Sequence, residues 1–271
     1  MAQSWLSELT GTKKSIIGMV HLPALPGTPL YDGSKGMQGI RDWVARDLDA
    51  LQGGGIDAVM FCNENDRPYV LDADVASVAA MADVVATMRG ELSVPFGVNV
   101  LWDPKSTIAL AAATGAAFCR EIFTGAFAGD FGIWVRSAGE TFRYRREVGA
   151  ESCRLIFNIN AEFAAQIAPR PLPEVARSVV FSSMPDALCV SGPITSQPAD
   201  ASSLAEVYDA VKDSGVPVLV NTGFRASNAA ELLEFADGAI VGSSLKVDGV
   251  TWNPVERGRV ESLMAEVRAA S

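Results

Sequence analysis

The sequence predicts a single-domain α/β protein folded as a (β/α)8 TIM barrel over residues 1–271, with 1–14 as an N-terminal extension. Three observations predict it. Short apolar runs alternate with segments of helical period, and the alternation repeats eight times, as expected of a parallel sheet with helical crossovers. A length of 271 residues suits one barrel. No GxGxxG turn follows the first run, which argues against an open doubly wound sheet.

The first strand, near 16–21, is apolar and ends in His21, the only histidine of the chain. Pro23, Pro26 and Pro29 then forbid its continuation. After Gly53-Gly54-Gly55, a helix-ending signal, a second strand near 57–62 runs out into Asn63-Glu64-Asn65-Asp66-Arg67-Pro68-Tyr69. A helix from Asp74 to Arg89 leads to a third strand near 95–100. Asp103-Pro104 opens the next helix, Lys105 to Thr114, because aspartate caps free N–H groups and proline suits the first turn. Gly115 ends it before a fourth strand near 117–122.

The stretch from Thr124 to Arg136 is long for a connection inside a compact domain, and its glycines and aromatic residues suggest a hinged, covering loop. A fifth strand near 153–158 precedes the rigid segment Pro169-Arg170-Pro171-Leu172-Pro173. Strands near 186–191, 216–221 and 238–242 complete the eight, separated by helices Ser203–Asp213 and Asn228–Phe235, with Gly215 and Ser227-Asn228 as stop and start signals.

Composition excludes several classes. The net charge of −10 disfavours nucleic acid and anionic membrane surfaces as partners. No stretch is long and apolar enough to insert into a bilayer, and Met1 to Lys14 lacks a signal-like apolar core. Cys62, Cys119, Cys153 and Cys189 lie in apolar runs without CxxC spacing, which suggests reduced thiols in a cytoplasmic protein. One histidine cannot supply a multi-histidine zinc site. None of the six lysines lies in a predicted strand, which disfavours Schiff-base chemistry on the barrel wall. No cofactor is called for, although Glu64, Asp66 or Glu121 leave Mg²⁺ open.

Polar residues gather where strands end, the place at which barrels carry chemistry. His21, Glu64 and Arg120 are the candidate catalytic residues, and Asn65, Asn99, Asn160, Glu162 and Asn221 the candidate substrate-binding residues. Alternation along a strand lets only one of Arg120 and Glu121 face the interior. Gly223 and Phe224 after the seventh strand, and Gly242, Ser243 and Ser244 after the eighth, are placed to bind phosphate through backbone N–H groups. Tight turns without a ligand would use the same residues. The expected partner is a small phosphorylated ligand. A homo-oligomer is also expected, with Phe127 and Trp134 able to reach a neighbour's site.

The phrases IIGMVHLPALPGTPLY, GGIDAVMFCNENDRPY, PFGVNVLWD and ADGAIVGSSLKVDG resemble the BtpA family, which includes SgcQ-like proteins, over about Ile16 to Arg268. The resemblance implies a phosphate-binding barrel. It picks out His21, Pro26, Gly27, Glu64, Asn65, Pro68, Tyr69, Asn99, Arg120, Asp130, Gly132, Gly223, Gly242 and Lys246. The chain departs after the fifth strand, where the family's Asp and Lys-His pair are replaced by Asn158-Ile159-Asn160-Ala161-Glu162 and following residues. Two functions stay open. One is a lyase or isomerase acting on a sugar phosphate by acid–base chemistry. The other is a non-catalytic factor of the photosystem I biogenesis type, or a ligand-sensing barrel.

Overall fold

The computed structural model describes residues 4–270. Eight parallel strands close into a barrel in the order β1 (Ser15–His21), β11 (Gly238–Val241), β10 (Val218–Val220), β9 (Ala187–Val190), β7 (Arg154–Asn158), β4 (Phe118–Glu121), β3 (Phe96–Asn99) and β2 (Ala58–Cys62). All eight strands expected from the apolar runs are present. Helices α2 (Gly36–Gly53), α3 (Val75–Met88), α4 (Pro104–Thr114), α5 (Ala138–Glu147), α6 (Leu172–Ser183), α7 (Ala201–Val211), α8 (Ala229–Leu233) and α9 (Arg257–Ala269) follow the strands.

The period of two along each strand sorts side chains into two cores. Ile17 and Met19 of β1, Met60 of β2, Ile156 of β7 and Ile240 of β11 fill the barrel interior. Their neighbours Ile16, Val20, Val59, Leu155 and Val241 pack outward under the helices. Gly97 leaves the room that the Phe118 ring occupies; a Cβ there would collide with that ring.

Local chemistry fixes the ends. Asp103 caps α4 by accepting from Ser106 N at 3.0 Å, and Gly115 closes the same helix at φ 73°. Helix α1 (Trp5–Thr10) lies at the N-terminal ends of the strands, with Leu6 in the interior core and Trp5 Nε1 donating to Asp186 O at 2.7 Å. Three aspartates around that end tie neighbouring strands together. Asp57 accepts from Ile16 N (2.8 Å), Asp186 from Leu155 N (2.8 Å) and Asp237 from Val218 N (2.9 Å).

The stretch read from sequence as a covering loop is instead ordered sheet. β5 (Gly125–Gly129) and β6 (Gly132–Arg136) form an antiparallel hairpin, and β8 (Ala164–Gln166) pairs with β5 to make a three-stranded sheet. Alternation decides its two faces. Phe127 and Trp134 stack at 4.5 Å and are buried against Trp102, whereas Ile133 and Val135 point outward, 74% and 66% exposed. Phe127 and Trp134 therefore cover their own barrel and are not free to reach a neighbour's site, which corrects that expectation.

Candidate functional site

A cavity of about 460 Å³ opens at the C-terminal ends of the barrel strands. His21 ends β1, and Arg120 lies on the inward row of β4, two residues beyond the interior Phe118. Asn158 ends β7 and Asn221 follows β10. Glu64 and Glu162 reach in from the segments after β2 and β7.

Arg120 organises the floor. Its guanidinium donates to Asn221 Oδ1 at 3.1 Å and to Asn99 Oδ1, while its carbonyl accepts from Asn99 Nδ2 at 2.8 Å. Glu121 also lines the cavity, contrary to the strict alternation expected of the pair. It is the last residue of β4, so its carboxylate can turn to accept from Trp102 N (2.8 Å), Ile122 N (2.7 Å) and Asn99 Nδ2 (2.9 Å).

Burial sets the protonation states. His21 is held well below the ordinary imidazole range, first by loss of water and then by the positive charges of Lys246 and Arg120. It is therefore neutral at pH 7, and its 4.0 Å approach to Glu64 is no salt bridge. Burial pushes the Glu64 and Glu121 carboxyls up, against the pull of Arg120. Burial likewise pushes Glu162 up to about 7, opposed by Arg120 and reinforced by the nearby Glu64 charge. Thr195 Oγ1 donates to Glu162 at 2.9 Å.

A pH dependence follows. Between about 4.5 and 7 the folded chain retains a proton on Glu162 that the unfolded chain releases, so this group's contribution declines as pH rises through that window. His21 acts oppositely: the unfolded chain takes up a proton below 6.5 that the folded chain refuses, so its contribution is lost as pH falls. We expect Glu162→Gln to remove a stability difference of up to about 3 kcal/mol between pH 4.5 and 8, read from denaturant midpoints. Equal slopes for wild type and variant would contradict the assignment.

The other end of the cavity is lined by Gly223, Phe224, Gly242, Ser243 and Ser244, together with Arg225 and Arg259. Among the described residues, the N–H groups of Gly223, Phe224, Ser243 and Ser244 take part in no hydrogen bond. The two serine hydroxyls are engaged, Ser243 with Thr251 and Ser244 with Phe224 O, both at 2.7 Å. Gly242 is pressed against the catalytic candidate: a Cβ there would lie 2.9 Å from His21 Cε1.

Three of the expected substrate-binding residues serve the protein instead. Asn65 donates to Leu22 O at 2.6 Å, and Asn160 bridges to the Ser191 backbone at 2.6 and 2.9 Å. Asn99 lies beneath the cavity, fully buried between Arg120 and Glu121. The residues considered for Mg²⁺ do not form one ligand set. Asp66 turns away to accept from Leu25 N (2.8 Å) and Asn63 Nδ2 (3.1 Å), and Glu121 is occupied by the donors named above. No cluster of three or more potential ligands capable of holding a metal occurs among the described residues.

Sequence reasoning passed over Trp102 and Phe163, and the family resemblance alone gave Tyr69; the three form an aromatic wall of the cavity with ring centroids 6.3–6.5 Å apart. Asn158 was readable, because it shares the inward parity of Ile156 on β7. Lys246 is wholly buried, as its absence from any strand gave no reason to expect, and its Nζ pairs with buried Asp47 of α2 at 2.9 Å.

Comparison with known proteins agrees with this architecture. Phosphoribosyl anthranilate isomerase from Thermus thermophilus superimposes with a TM-score of 0.58 at 12% identity, covering 95% of this chain and 100% of that one. Thiamine phosphate pyrophosphorylase from Pyrococcus furiosus gives 0.56 at 16% identity, covering 95% and 96%. At such identities the likeness is one of fold alone. By sequence, the chain is 45% identical to the sgc region protein SgcQ of Escherichia coli K12 over 97% of its own length and 98% of that protein. It is 29% identical to the photosystem I biogenesis protein BtpA of Synechocystis, covering 93% and 88%. The BtpA family model matches residues 12–269, nearly the whole chain, so this barrel belongs to the BtpA family.

Proposed function

We propose that the protein is an enzyme acting on a small phosphorylated metabolite, a sugar phosphate, by lyase or isomerase chemistry in the cytoplasm. One observation carries this reading. A single cavity is lined both by groups suited to proton transfer and by turns whose N–H groups have no acceptor. In this reading the N–H groups of Gly223, Phe224, Ser243 and Ser244 hold the phosphate, with Arg225 and Arg259 adding positive charge nearby. His21, being neutral, is the general base. Glu162 is the complementary acid, since its carboxyl titrates close to neutrality. Arg120 stabilises an anionic or carbonyl oxygen, Glu64 orients His21, and Asn221 fixes both Arg120 and the substrate.

A thermal-shift screen of sugar phosphates tests the reading. A ligand at 100 times its Kd adds about 2.7 kcal/mol of apparent stability. Gly242→Val should abolish that shift while the barrel still unfolds cooperatively, because the added side chain displaces His21 and narrows the turn. A shift that survives Gly242→Val would move the ligand elsewhere.

A second reading has its own observation. The outer face of the β5–β6 hairpin exposes Ile133 and Val135, with Ile167 beside them 51% exposed. Such a face suits a protein partner, or a second copy in a homo-oligomer, and one relative is named for photosystem I biogenesis. Light scattering on a Val135→Lys variant separates these: a homo-oligomer should dissociate, and a wild-type monomer would remove the homo-oligomer.

A further inference from the structure

The cavity's catalytic end has a composition that the proton-transfer reading leaves unused. Each carboxylate there is linked, by a hydrogen bond or by sequence, to an aromatic residue. Tyr69 donates its hydroxyl to Glu64 Oε1 at 3.3 Å, Trp102 donates its backbone N–H to Glu121 at 2.8 Å, and Phe163 follows Glu162 directly in sequence. All six line the cavity. The rings are fixed from behind by Phe131 at the tip of the hairpin, whose centroid lies 4.9–6.3 Å from theirs. This wall is therefore rigid and apolar, and polar acceptors stand at its edge.

Polar side chains stand on the same lining. Glu64 and Glu162 both line the cavity beside Tyr69 and Phe163. Carboxyls that line the cavity and are raised toward their neutral form can both give and receive hydrogen bonds, as hydroxyl groups do.

Aromatic rings beside carboxylates can also hold a cation. Here that chemistry is opposed from within. The Arg120 guanidinium lies among Glu64, Glu121 and Glu162 and acts on all three, and burial raises each carboxyl toward its neutral form. A ligand whose part at this end is neutral, with one apolar face and a hydroxylated edge, fits all the groups together. An open-chain polyol has the hydroxyls but no fixed flat face. A closed sugar ring has both.

We infer that the cavity binds its sugar phosphate in the closed-ring form, with the C–H face of the ring against the aromatic wall and its hydroxyls on Glu64 and Glu162. This rests on the phosphorylated-ligand reading given above. It adds that recognition precedes ring opening, so an isomerase or lyase of this kind must open the ring after capture.

The test pairs ring-locked compounds with open-chain counterparts: the methyl glycosides of ribose 5-phosphate and glucose 6-phosphate against ribitol 5-phosphate and glucitol 6-phosphate. Inorganic phosphate and phosphoethanolamine complete the set. Thermal shift and tryptophan fluorescence read binding to the full chain. At least one ring-locked compound should bind about tenfold tighter or more than its alditol. In Phe163→Leu that preference should fall while the shift with inorganic phosphate stays unchanged, which shows that the barrel remains folded. Alditols binding as tightly as the locked rings would overturn the inference and leave the phosphorylated-ligand reading standing. Tighter binding of phosphoethanolamine would overturn it in favour of a cation site. Failure of every compound, inorganic phosphate included, would remove the phosphorylated-ligand reading and this inference with it.

Discussion

Replacing Lys246 with methionine is expected to destabilise the fold by about 3–5 kcal/mol, because it leaves a charge without its partner in the interior. Asp47 is fully buried on α2, accepts from Lys246 Nζ at 2.9 Å and from Val255 N at 3.0 Å, and so ties the segment after β11 to α2. Burial lowers the lysine's affinity for its proton and Asp47 offsets part of that loss, so the two charges depend on each other. Arg46 approaches Asp47 at 3.8 Å but is half exposed, a poor substitute. Thermal denaturation should show a fall of roughly 10 °C. The double variant Asp47→Leu/Lys246→Met should recover part of it, since the unpaired charge is then gone. A single variant as stable as wild type would show that the pair contributes nothing.

His21→Ala is expected to lower turnover by about 10²–10⁴-fold with the sugar phosphate that the binding screen selects. The barrel should survive, because His21 lies at the rim of the interior core and its Nδ1 has no hydrogen-bond partner to strand. Loss should fall on kcat more than on KM, as the phosphate contacts are made by other residues. Glu162→Gln should remove the limb of the pH–rate profile near 7 that its carboxyl supplies. Unchanged turnover in His21→Ala would take the proton-transfer role away from this residue.

The barrel strands were legible because an apolar run bounded by glycine, proline or capping residues leaves few alternatives, and all eight appear where those runs lie. The hairpin was not read as sheet. Its short strands carry glycine and alanine beside Phe127 and Trp134, and length and glycine content gave no register. Among the asparagines, residue type alone does not say whether an amide faces a cavity or a backbone. Asn221 reaches the cavity, whereas Asn65 and Asn160 satisfy carbonyls of neighbouring segments. The Asp47–Lys246 pair joins positions 199 residues apart, beyond any local pattern. The aromatic wall was hidden for the same reason: Tyr69, Trp102 and Phe163 follow three different strands.

The aspartates at the N-terminal ends of the strands have a consequence for how such a molecule can change. Asp57, Asp186 and Asp237 each grip the first N–H groups of an adjoining strand. A slip of one residue there would exchange the inner and outer faces of a strand and empty both cores. Alignment of the staves is thus settled at one rim, before the chain reaches the other. The opposite rim inherits strands already in step, so its connections can lengthen, shorten or grow a small sheet, as the one after β4 has, without disturbing the cylinder beneath. New specificities can be tried at that rim while the other keeps the molecule folded.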